Sequence, residues 1–89
     1  MTYTQTTNDL LTRSLVAAHY ELGEYLHHYY RCRALLSRAN RSGDRANRRY
    51  ALTLLNRSRA RVNRQRRRIE GILDTLISGR VDAKLLTHV

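Results

Sequence analysis

Leu11, Leu15, Ala18, Leu22, Tyr25, Tyr29, Cys32, Leu36 and Ala39 follow one another at spacings of four and three without a break. That alternation is the seven-residue repeat that keeps one seam of an α-helix facing a partner helix. A second run obeys the same rule: Arg48, Ala51, Leu55, Ser58, Val62, Gln65, Ile69, Ile72 and Leu76. The chain has no proline to interrupt either run. The expectation is an all-α fold, an antiparallel two-helix hairpin of coiled-coil type. Its helices are expected over residues 9–40 and 45–78, with a loop at 41–44.

The loop is read from Asn40-Arg-Ser-Gly-Asp44. Gly43 can take the left-handed conformation that ends a helix, and Ser42 or Asp44 can cap the next one. Residues 1–8 are polar and rich in Thr. They read as a flexible lead, with Thr6, Thr7 or Asn8 as cap and Asp9 at the positive end of the helix dipole. Gly79 is a natural stop, and residues 79–89 read as a tail with room for a short helix. Aligning the seams about Gly43 sets Leu36 opposite Tyr50 or Ala51, Tyr29 opposite Ser58 and Leu22 opposite Gln65. Leu15 then meets Ile72, and Leu11 meets Leu76. Bulky tyrosines meet small or polar positions in the middle, and the Leu/Ile pairs gather at the open end, the expected stable half.

Two helices cannot enclose a core on all sides. Tyr20, Leu26, Tyr30, Leu35, Leu52 and Leu54 lie beside or outside the seams and are the expected protein interface. Leu10 and Val16 widen the stripe further. A homodimer forming a four-helix bundle, or a host surface, would cover them.

Charge is segregated along the chain. Residues 31–68 carry fourteen Arg and one acid, Asp44, a net of +13, while residues 1–30 net −2 and residues 69–89 net −1. Folded as a hairpin, the chain has a nearly neutral open end and a strongly basic head. The densest stretch, residues 56–70, holds Arg57, Arg59, Arg61, Arg64, Arg66, Arg67 and Arg68. Arg31, Arg33, Arg38, Arg41, Arg45, Arg48 and Arg49 surround the loop end, Arg48 with its stem packed on the seam. Sixteen of the seventeen basic residues are Arg. A guanidinium grips phosphate or carboxylate through two hydrogen bonds. A GC-rich coding sequence would favour Arg over Lys whatever the function, but it does not create a net excess of charge.

These features point to the phosphate backbone of DNA or RNA, met with little sequence specificity, because the arginines spread around the helix instead of lining one strip. The alternative is a protein-directed inhibitor or adaptor, of the size that phage and mobile-element regulators have. It would dock its arginine head and exposed Leu/Tyr face on an acidic surface of a nucleic-acid-processing enzyme. Asn47, Asn56, Asn63 and Gln65 have the chemistry to read a base edge but read first as surface polars. No helix-turn-helix, zinc-finger or basic-zipper pattern is present.

An enzyme is not expected: there is no paired-carboxylate constellation and no glycine-rich phosphate loop. His28 and Cys32, four apart, supply only half of a structural zinc site, so no metal or cofactor is expected. The single cysteine cannot form an internal disulfide, which suits a reducing cytoplasm. The amino terminus is polar and unlike a signal peptide, and no apolar run is long enough to span a bilayer, so no membrane partner is expected.

Overall fold

Seven consecutive seam positions of the second helix are buried, from Ala51 through Leu55, Ser58, Val62, Gln65 and Ile69 to Ile72. The computed structural model describes residues 2–78, with side chains from Thr7 onward. It contains helix α1, Thr2–Ser42, and helix α2, Arg45–Ser78, and no strand among the described residues. Leu11 and Ala18 cluster with Ile69 and Ile72. Tyr25 lies under Arg61, and Tyr29 shares a cleft with Arg59 and Val62. These pairs run in opposite directions along the two helices, so the hairpin is antiparallel. It forms a rod measuring 63 × 18 × 16 Å.

The turn is only Gly43 and Asp44. Gly43 adopts φ +71°, and its N–H donates to the Ala39 carbonyl at 3.1 Å, the single bond of a left-handed helix stop. Asp44 caps α2: its Oδ1 accepts from the Asn47 N–H at 3.1 Å, and its Oδ2 from the Asn47 side-chain amide at 2.9 Å. Ser42 instead stays in α1, its hydroxyl donating to the Ala39 carbonyl at 3.0 Å.

Gly23 and Gly43 make a matched pair for test. A methyl group on either meets no heavy atom within 4 Å, but only Gly43 has a positive φ. Gly23→Ala is expected to stabilise the hairpin by about 1 kcal/mol through helix propensity. Gly43→Ala is expected to cost about 1–2 kcal/mol through the left-handed backbone. Urea melting followed by helix circular dichroism checks both signs.

Two expectations are corrected. Helix α1 begins at Thr2, not Asp9, and carries through the Thr-rich lead that was expected to be flexible. Thr7, four residues before Leu11, is buried. Arg48 does not pack on the seam. Residues 40–50 are all exposed, so the seam closes at Ala39 and Ala51, beyond which no apolar side chain faces the partner helix. Leu26 and Leu54, expected at a protein interface, are half-buried. The tail at residues 79–89 lies outside the described residues.

The core sits at the open end. Leu11, Ala18, Ile69 and Ile72 form a buried cluster with Leu15, Leu22 and Leu76 packed against it. Elsewhere on α1 the small seam residues Cys32 and Ala39 are buried, while Tyr25, Tyr29 and Leu36 are half-exposed. Gln65 lies in the middle of the rod. Its amide donates to the Ala18 carbonyl at 2.8 Å and lies 3.4 Å from Glu21 Oε2. This is within one turn of the register drawn about Gly43. A slipped register would leave that buried amide unsatisfied, so Gln65 pins the pairing.

Candidate nucleic-acid interface

Because Ser58, Val62, Gln65 and Ile69 face α1, the residues between them must face outward. Arg57, Arg59, Arg61, Arg64, Arg66 and Arg67 are accordingly exposed. Arg68 is half-buried and pairs with Glu21 at 3.5 Å. Arg31, Arg33, Arg38 and Arg41 on α1, and Arg45, Arg48 and Arg49 after the turn, are exposed as well. Thirteen of the fourteen arginines in residues 31–68 are therefore open to solvent. Among the described residues, Arg68 is the one of the fourteen within salt-bridge distance of a carboxylate.

The seven arginines from Arg57 to Arg68 occupy about 17 Å of helix at ~1.5 Å per residue. That is one positive charge per about 2.4 Å, close to the one negative charge per ~1.7 Å of duplex axis. Repulsion among these groups destabilises the isolated rod, and a polyanion relieves it.

Two arginines lie over aromatic rings. The Arg61 guanidinium is 5.5 Å from the Tyr25 ring centroid, and that of Arg33 is 6.0 Å from Tyr29. Stacking on a ring orders the guanidinium while leaving its N–H edge for an anion.

The two flanks of the rod differ. One carries Glu21, Tyr25, Arg61 and Arg68, where an acid offsets part of the charge. The other holds a cleft of about 310 Å³ lined by Leu26, Tyr29, Tyr30, Arg59, Val62, Asn63 and Arg66, with no acid among them. Nearer the turn, Leu35, Ala39, Tyr50 and Ala51 floor a groove of about 380 Å³ edged by Arg38, Ser42 and Asn47.

No known protein family, curated protein or solved structure matches this chain. What it does is therefore read from the chemistry of its own surface.

The other sequence-derived candidates fall into place unevenly. Tyr20, Tyr30, Leu35 and Leu52 are exposed. Asn56 and Asn63 are exposed, Asn47 is held by Asp44, and Gln65 is buried against α1, out of reach of any base. Cys32 is buried, and its sulfur is 3.6 Å from His28 Nε2. No group of three or more His, Cys, Asp or Glu side chains able to hold a metal occurs among the described residues. Nor is any described helix long and apolar enough to cross a membrane.

Sequence reasoning missed the cleft as a unit. It named Tyr30, Arg59 and Arg66 separately, but their meeting requires both the register and the rotation of one helix about the other. Tyr50, 65% exposed at the turn, was also not assigned to an interface.

Proposed function

We propose that this chain is a non-enzymatic binding protein that holds the phosphate backbone of DNA or RNA through its arginine-rich head, with little sequence specificity. One observation carries the reading: thirteen exposed guanidiniums occupy the loop end and middle of a rod whose open end, among the described residues, carries Arg13 against Asp9, Glu21, Glu24, Glu70 and Asp74. A one-sided block of this density steers polyanions and gains from counterion release. The spread of arginines over both flanks of α2 suits backbone contact, which orients a protein on nucleic acid without reading its sequence. The lone buried thiol fits a reducing compartment such as the cytoplasm.

A second reading is favoured by a separate observation. Val16, Tyr20, Leu35, Leu52 and Ile77 remain exposed on the hairpin. Such a surface fits a second copy completing a four-helix bundle, or docking as an inhibitor or adaptor on an acidic, nucleic-acid-processing protein.

The two readings separate in a pull-down of the tagged full chain from lysate, with and without nuclease. Phosphate-backbone binding predicts that co-recovered material is nucleic acid and is lost on nuclease treatment. A stoichiometric protein that survives nuclease would overturn that reading in favour of the second.

A further inference from the structure

We infer that the cleft between residues 26–30 of α1 and 59–66 of α2 receives an unpaired nucleobase of a single-stranded nucleic acid. This rests on the basic head being a nucleic-acid surface, and it names the strand form that surface takes. The cleft, at about 310 Å³, lies at the small end of the range typical of ligand sites, ~300–1,000 Å³.

Its floor is apolar: Val62 is buried, and Leu26 and Tyr29 are half-buried. Its wall is Tyr30, 57% exposed. That ring is not a loose surface side chain. It meets Tyr29 edge to face, centroids 5.7 Å apart and planes at 62°, so its orientation is held before any ligand arrives. An ordered, solvent-open aromatic face beside cationic side chains is the stacking platform that single-strand binders present.

The polar side chains supply the rest of a nucleotide site. Arg59 and Arg66 are two turns apart on one edge of α2, about 10 Å along the axis, with Asn63 between them. The two guanidiniums suit the phosphates on either side of a base. The Asn63 amide offers both a donor and an acceptor to whichever base edge is presented, so it orients a base without demanding one identity. A duplex keeps its bases stacked inside and shows this ring no π-face, so the cleft favours unpaired strands.

The opposite flank lacks the combination. There Glu21 sits beside Arg68 and Gln65 and would repel a phosphate. In the groove near the turn, Asn47 is already held by Asp44.

The test uses the full chain at one fixed salt concentration. The ligands are a single-stranded DNA, a single-stranded RNA, a duplex of matched length and a mononucleotide. The proteins are wild type, Tyr30→Ala, Tyr30→Phe and, as an exposed control outside the cleft, His19→Ala. Tyr30 is exposed, so unchanged helix circular dichroism is required of each variant. Loss of one stacked base is expected to weaken single-strand binding of Tyr30→Ala about 5- to 150-fold, with duplex binding unchanged. Tyr30→Phe should retain wild-type affinity, and His19→Ala should behave as wild type. Tighter binding of either single strand than of the duplex supports the assignment, and the preferred sugar then identifies the source.

Equal losses toward single strand and duplex, or no loss in Tyr30→Ala, would overturn the cleft while leaving the arginine head intact. A mononucleotide that binds as tightly as the strand would overturn a strand as the occupant. Absence of binding to every nucleic acid at low salt would remove both readings together.

Discussion

Raising salt from about 50 to about 200 mM is expected to weaken binding of this chain to nucleic acid by about 10³- to 10⁵-fold, if roughly six to ten phosphates are neutralised. The range follows from the surface. Thirteen arginines of residues 31–68 are exposed, but they face several directions around a rod only 18 × 16 Å in section, so one strand cannot meet them all. The log–log slope should be about −0.9 per contact on duplex and about −0.7 on single strands. It thus counts the arginines in contact.

Single Arg→Ala changes should then shallow the slope by about one each where the arginine touches phosphate. Arg64 and Arg67 are the preferred positions, being exposed on α2 away from the seam. Arg13, exposed in the segment of net −2, is the control and should leave the slope unchanged. A slope near zero would sink the phosphate reading, however tight the binding at one salt concentration.

The second large effect concerns stability. Ile72 is 0% exposed and packs with Leu11, 1% exposed, in the open-end cluster. Ile72→Ala is expected to cost about 2–5 kcal/mol, the usual range for deleting a buried Ile or Leu side chain. A chain of 89 residues has a small margin, so this substitution should leave much of the population unfolded at room temperature.

Leu36→Ala, at a half-exposed seam position near the turn, should cost clearly less, since less area returns to water. Urea melts of the two variants decide it. If Leu36→Ala unfolds the chain as readily as Ile72→Ala, the open end is not what holds the rod together. Saturating nucleic acid should restore helicity to Ile72→Ala by mass action, about 2.7 kcal/mol at a hundred times Kd. That recovery would tie folding at one end of the hairpin to binding at the other.

Local chemistry carried much of the fold. The four-three spacing picked out Leu55, Val62, Ile69 and Ile72, all buried, because helical period and seam position are properties of one stretch of chain. Gly43 and Asp44 were legible for the same reason, since a left-handed stop and an N-cap depend on one or two residues. The lead at residues 1–8 was misread because Thr signals a weak helix locally. The helix nevertheless runs from Thr2, with Thr7 buried. Arg48 was misread in the opposite sense. The repeat still marks its position, but no side chain of α1 remains there to cover it.

Sequence alone thus determined the two helices, the turn between them and the division of charge between the open end and a basic head. These follow from periodicity, capping and charge count, which are all read along the chain. Only the tertiary structure decided that Gln65 is spent on the Ala18 carbonyl, that Glu21 offsets the charge on one flank, and that Tyr30 joins Asn63, Arg59 and Arg66 across a cleft on the other. Residues 29 or more positions apart become neighbours only when one helix takes a particular rotation against the other. That rotation is set by how whole side chains pack, which no spacing rule along a single helix contains.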